Sequence, residues 1–165
     1  MAWVPSLYTL ATMCLVQRTA DISPLVAILI AVFGLVSIAV NYAADRQRQV
    51  VRATNGEATV WGEPPVLIEA SYTTEDGEQR TSLLLASGYW GISRHFNYIA
   101  ELALAAAWIL PAGFGLLLPW CYVIFLTILL TDRARRDEKR CANKYGSDWD
   151  SYCEVARWRM IPRVY

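Results

Sequence analysis

At 165 residues the chain has room for one ordinary soluble domain, but 55% hydrophobic residues, seven Trp and only 18% charged residues are too apolar a mixture for that class. The formal charge is zero, so no basic field for a nucleic-acid partner is expected, and a membrane class fits better. The charge is uneven, however: nine Lys or Arg against five Asp or Glu lie between Arg133 and Tyr165, a bias that marks a cytoplasmic membrane edge and attracts an anionic cofactor or anionic lipid heads.

The chain opens with an apolar stretch, Trp3 to Val16, without the basic lead of a cleaved signal. As a helix it would rise roughly 21 Å, the stump of a span beside a hydrocarbon core of roughly 30 Å. Ser23-Pro24 then supplies a cap and a first-turn proline, and Leu25 to Ala44 follows without a charge, which predicts a transmembrane helix. A basic extension, DRQRQVVRATNG, continues it to a turn at Asn55-Gly56. Arg48 and Arg52, four apart, share a face; they make either a guanidinium fork for a phosphate or a pair of membrane-edge anchors.

Two runs rich in Val, Ile, Tyr and Thr flank Glu75-Asp76-Gly77, which predicts a small β-hairpin in a cytosolic excursion over residues 45–91. The next stretch, SGYWGISRHFNYIAE, places Arg94, His95, Asn97, Tyr98 and Glu101 at the entrance of an apolar run. Ionisable groups there are costly unless they face a cavity or a partner. They mark a functional site, or else Arg94 and Glu101 form a buried pair with His95 as a packing residue. Leu102 to Thr131 carries no charge and is broken by Pro111, Gly113, Gly115 and Pro119, which predicts a hairpin of two short helices.

The tail, residues 132–165, reads as a charged helix to Lys144 or Tyr145, a Gly146 stop, and a second helix ended before Pro162. Asp137, Cys141 and Tyr145 recur at i, i+4 and i+8, a column of carboxylate, thiol and phenol. It is either a solvated helix face or a wall for a ribose, with Trp149 and Tyr152 following on the next helix. The four cysteines, Cys14, Cys121, Cys141 and Cys153, form no metal-ligand spacing and no legible disulfide framework. No phosphate-binding glycine loop and no catalytic triad order is present. The expected fold is an all-α integral membrane protein with about four transmembrane helices, including the Pro/Gly-broken hairpin, a cytosolic β-hairpin and C-terminal amphipathic helices.

LLLASGYWGISRHFNY, LLTDRARRDEKRCANKYGSDWDSY and RMIPRVY, with SLYTL, VWGEPP and IEASYTTEDGE before them, closely resemble the sterol reductase family of Δ14- and Δ7-sterol reductases and the lamin B receptor, RHFNY and DRARRDEKRC pointing to the Δ7 branch. The resemblance implies a multi-pass enzyme of the endoplasmic reticulum membrane that reduces a sterol double bond with NADPH, the Δ7 bond of 7-dehydrocholesterol-type sterols. It further implies that Arg48 and Arg52 grip the cofactor's phosphates and that Leu85 and Trp90 pack its nicotinamide or adenine end. Asn97 and Tyr98 would hydrogen-bond nearby, and Asp137, Cys141, Tyr145 and Tyr152 would line the remaining wall. The expected partners are the sterol, membrane lipid and an N-terminal half that family enzymes carry and this stretch lacks; Tyr98, His95 and Glu101 are candidate proton donors. Two rivals remain from the residues: a membrane methyltransferase similar to isoprenylcysteine carboxyl methyltransferases, and a non-catalytic membrane scaffold.

Overall fold

A computed structural model describes residues 9, 12–14, 16 and 22–164. The first apolar stretch and its SLYTL motif lie almost wholly outside the described residues. Helix α1, Pro24–Ala53, starts where the cap residues predict: the Ser23 carbonyl accepts from Ala27 N–H at 3.0 Å, and its hydroxyl from Val26 N–H at 3.4 Å. Pro24, which has no N–H to leave orphaned, takes the first position. The helix ends as Gly56 N–H turns back to the Val51 carbonyl at 2.8 Å. Asn55 and Gly56 have φ of 49° and 91° there. The positive φ favours glycine at position 56, and a Cβ there would also push aside the Leu67 Cδ1 methyl, 2.5 Å away.

The chain divides into two compact units, residues 1–41 with 100–131 and residues 42–99 with 132–165. In the first, the apolar part of α1 leaves Leu25, Ile28, Leu29, Val32, Leu35 and Val36 exposed, and Gly34 lies against Ala107. Helix α3, Phe96–Ile109, stops at a short 3-10 turn over Leu110–Ala112, because Pro111 cannot donate to a continuing helix and Gly113 turns the backbone at φ 69°. Trp120 then closes the break, donating from Nε1 to the Gly113 carbonyl at 2.8 Å and stacking on Phe114. A second 3-10 turn, Leu118–Trp120, leads into α4, Cys121–Tyr145.

The expectation of four spans is corrected here. Among the described residues only α1 is long and apolar enough to cross a membrane. The fourteen residues of α3 rise roughly 21 Å, and the apolar half of α4 lasts only from Cys121 to Thr131, roughly 16 Å, before Asp132 opens a run of charges. Thirty uncharged residues counted as sequence become two pieces that each fall short of roughly 30 Å of hydrocarbon.

The second unit has a core of its own. Strands β1, Leu67–Thr73, and β2, Gln79–Leu85, pair antiparallel in the register Leu67↔Leu85 to Thr73↔Gln79. Their turn is closed by Gly77 N–H donating to the Thr74 carbonyl, with Gly77 at φ 82°. Successive strand residues face opposite ways, so Leu84 joins Ala70, Ala86, Trp149, Tyr152 and Ala156 while Leu85 joins Val51, Val60 and Trp90. The hairpin is thereby held between the end of α1, with the one-turn helix α2, Tyr89–Ile92, on one face and helix α5, Ser147–Val155, on the other. Asp148 fixes α5 to the β1 edge by accepting Ser71 N–H at 2.9 Å. Gly146, at φ 55°, makes the break between α4 and α5.

Candidate functional site

All ten residues singled out from the sequence fall in the second unit. Arg48 lies on the last turns of α1 with its guanidinium carbon 4.1 Å from the centre of the Trp90 ring, a cation–π stack that orients the fork. Trp90 is buried and donates from Nε1 to the Ala44 carbonyl at 2.8 Å, and Leu85 packs beside it. The Trp90 ring is therefore the seat under Arg48, and Leu85 shares its buried cluster. Arg52, one turn on, is exposed and close enough that the two guanidiniums repel, a charge pair that an anion would relieve. Arg48 also lies within electrostatic reach of the buried Tyr98 on α3 and Tyr152 on α5.

Tyr98 in turn reaches α4. Its hydroxyl donates to Asp137 Oδ2 at 3.4 Å, and its ring stacks nearly parallel to His95 at 5.0 Å. Asn97 sits half-buried in the first turn of α3. Below Asp137 the column continues: Cys141 and Tyr145 are half-buried and pack on the cluster that contains Tyr152. Tyr145 meets Tyr72 edge to face, with Lys144 held 3.7 Å over the Tyr72 ring. Burial pushes the Tyr152 phenol up to about 12 and raises the Cys141 and Cys153 thiols. At neutral pH Tyr152 is thus a neutral phenol, and Cys141 and Cys153 are protonated thiols.

Sequence reasoning missed the residue that holds the site together. Arg94 pairs with Glu138, forty-four positions away, rather than with Glu101: Nη2 and Nε donate to Oε1 at 2.6 and 3.0 Å, and Nη1 donates to the Ala156 and Arg157 carbonyls at 2.6 and 3.0 Å. Arg159 pairs with the other oxygen of Glu138. The backbone completes the junction, Arg94 N–H reaching the Trp158 carbonyl at 2.9 Å and His95 N–H the Arg159 carbonyl at 3.0 Å. A carboxylate this buried would be costly alone; two guanidiniums and the hydrogen bonds to carbonyls offset that cost. Glu138 lay inside DRARRDEKRC, but nothing local marks it, since its partners come from distant segments.

Beside this junction two buried polar atoms have no hydrogen-bond partner, Ser93 Oγ and His95 Nε2. Burial lowers the His95 pKa, with Glu138 and Asp137 opposing, so the ring is a neutral imidazole at pH 7. Among the described residues no group of three or more His, Cys, Asp or Glu side chains could hold a metal ion.

A family model described as "Ergosterol biosynthesis ERG4/ERG24 family" matches residues 1–165. The chain belongs to the ERG4/ERG24 sterol reductase family. It is 51% identical to a 7-dehydrocholesterol reductase of Arabidopsis thaliana over its whole length, covering 38% of that protein. It is 39% identical to one of Xenopus laevis, over 99% of this chain and 34% of the other. A Delta(14)-sterol reductase of Methylotuvimicrobium alcaliphilum shares 38%, over 100% and 36% respectively. The chain thus spans little more than a third of the length of these family members, and the stretches LLLASGYWGISRHFNY and LLTDRARRDEKRCANKYGSDWDSY pointed to the family that the match establishes.

Proposed function

We propose that this chain is the cofactor-holding part of an NADPH-dependent enzyme of the endoplasmic reticulum membrane that reduces a sterol C=C bond, the Δ7 bond of 7-dehydrocholesterol-type sterols. The reading rests on family membership and on one observation above all: Tyr98 bridges to Asp137 on one side while lying within electrostatic reach of Arg48 on the other. Guanidiniums on α1 and a carboxylate on α4 are thereby linked through Tyr98, which supports a donor set of the kind a phosphorylated dinucleotide needs. NADPH supplies a hydride when bound. Arg48 and Arg52 hold its phosphates, Leu85 and Trp90 fix Arg48 from beneath, and Asp137 accepts from ribose hydroxyls while Tyr98 orients the carboxylate. Asn97, Cys141, Tyr145 and Tyr152 shape the remaining wall. The neutral His95 imidazole, Tyr98 and Glu101 are the candidates on this chain for the proton that must reach the second carbon. Walls for the sterol come from an N-terminal half of the kind the longer relatives carry.

The test is sterol profiling of a reductase-deficient cell that expresses this chain with the N-terminal half of a relative. Consumption of 7-dehydrocholesterol is expected; its persistence despite expression and membrane insertion of both halves favours a non-catalytic scaffold. In the purified chain, Asp137→Ala and Arg52→Ala should each weaken NADPH binding about tenfold or more, the loss of one charge-assisted contact. Unchanged affinity in both removes the assigned surface. Binding of S-adenosylmethionine in place of NADPH would move the reading to a methyltransferase.

A further inference from the structure

Residues 60–63 make a tight hairpin turn in the second unit. Val60 N–H donates to the Glu63 carbonyl at 2.8 Å and Glu63 N–H returns to the Val60 carbonyl at 3.1 Å, with Trp61 at φ 53° and Gly62 at φ 87° between them. Positive φ at both central residues is the mark of a type I′ turn, which asparagine and glycine fill without strain and a bulky aromatic residue does not. We propose that Trp61 is held in this turn to present its indole as the stacking platform for the adenine ring of the dinucleotide.

The broken local rule is the first argument. Glycine stands where the turn wants it at position 62, whereas position 61 carries a large ring on a left-handed backbone. Packing does not account for the choice, since Trp61 is 62% exposed and meets Tyr89 only edge to face, at 5.1 Å. A strained backbone kept for a side chain left in solvent points to a ligand.

The surroundings are the second. Val60 is buried with Val51, Leu85 and Trp90, and Tyr89 packs on the same cluster. Tyr89 N–H donates to Gln47 Oε1 at 3.1 Å, next along α1 is Arg48, and the Arg48 guanidinium lies over Trp90. The indole and the guanidinium are therefore mounted on adjacent residues, Tyr89 and Trp90, of one packed cluster. A base joined through a ribose to phosphates offers the matching pair, a π-face for the indole and an anion for Arg48 and Arg52.

Exposure decides which ring. Hydride transfer needs a nicotinamide shielded from water, and an indole this open gives no such shelter. Adenine takes no part in the chemistry and needs only a face to stack on. The inference rests on the dinucleotide reading above and assigns one end of that ligand.

The test follows displacement of NADPH from the purified full chain, read by reduced-nicotinamide fluorescence. The competitors are adenosine 2′,5′-bisphosphate and ribose 2,5-bisphosphate, the same anion without its base. The parent should favour the adenosine compound about tenfold or more, the worth of one stacked base. Trp61→Asn should cut that preference to about threefold or less and weaken NADPH about tenfold, while its melting temperature holds or rises because asparagine suits the turn. Trp61→Phe keeps a π-face and should keep most of the preference. A parent without the preference, or a Trp61→Asn chain that retains it, overturns the platform and leaves the dinucleotide reading standing. Equal loss of both competitors with a lowered melting temperature makes Trp61 a packing residue and overturns it too. A parent that binds no NADPH removes the dinucleotide reading and this inference together.

Discussion

The two units of this chain treat their apolar side chains in opposite ways. In residues 24–41 of the first unit Leu25, Leu29, Val32 and Leu35 stand bare, and only 6% of the most apolar window of α1 is buried. The second unit holds all of the tail's charges, yet Val51, Leu85, Trp90 and Tyr152 are all but closed off. Helices α1, α3 and α4 each contribute to both, and the contrast is plainest in α1. The difference teaches that its two halves answer to different solvents: the uncharged half is complete only when lipid or other protein covers it, whereas the charged half carries its own packing and can hold a site in place.

Substitution separates the two regimes. The largest effect is expected from Glu138→Ala, which strands Arg94, a side chain only 8% exposed; loss of about 3–5 kcal/mol is expected, read as a collapse of thermal stability or of folded yield in detergent. If the second unit melts unchanged, the Arg94–Glu138–Arg159 junction does not hold it. Next comes Trp90→Phe, which removes the hydrogen bond to the Ala44 carbonyl and shrinks the ring under Arg48. It should cost about 1–3 kcal/mol and loosen NADPH along with stability; loss of stability at unaltered cofactor affinity would separate the seat from the surface above it.

His95 gives a smaller, pH-dependent effect. Its folded pKa is lowered by burial, so between that value and the ordinary one near 6.5 the unfolded chain binds the extra proton. Stability from this group is full above about pH 6.5 and falls as the pH drops through and below it. His95→Gln should flatten that acid limb in a denaturation series from pH 7.5 to 5; a slope identical to the parent's assigns the limb to other groups. The smallest effect belongs to the first unit. Leu29→Ala, at a side chain 59% exposed, should change stability by less than about 0.5 kcal/mol in detergent. A cost of several times that would show that α1 is packed against protein on this side.

Local chemistry was legible from the sequence, and long-range geometry was not. Ser23-Pro24, Asn55-Gly56, Glu75-Asp76-Gly77 and Gly146 each mark a boundary found in the fold, because caps and left-handed turns are decided by neighbouring atoms. The register that sends Leu84 and Leu85 to different clusters follows from strand alternation once the turn is placed. Span counting failed because it sums apolar residues without asking where Pro111 stops one helix and Asp132 charges the next. The i, i+4 column of Asp137, Cys141 and Tyr145 lay in plain view; the partner of Arg94 did not, since helical spacing offered Glu101 and only the folded chain offers Glu138.

The second unit is assembled from residues 42–99 and 132–165, which has a consequence for biogenesis. As the ribosome delivers the chain, Arg94 waits with its guanidinium unmatched until Glu138 emerges, and the greasy stretch 100–131 must be made in between. Synthesis of that stretch therefore precedes closure of the Arg94–Glu138 junction. A chain stalled within it would leave the polar unit without its second segment, so a fault in the apolar stretch would surface as loss of the polar unit.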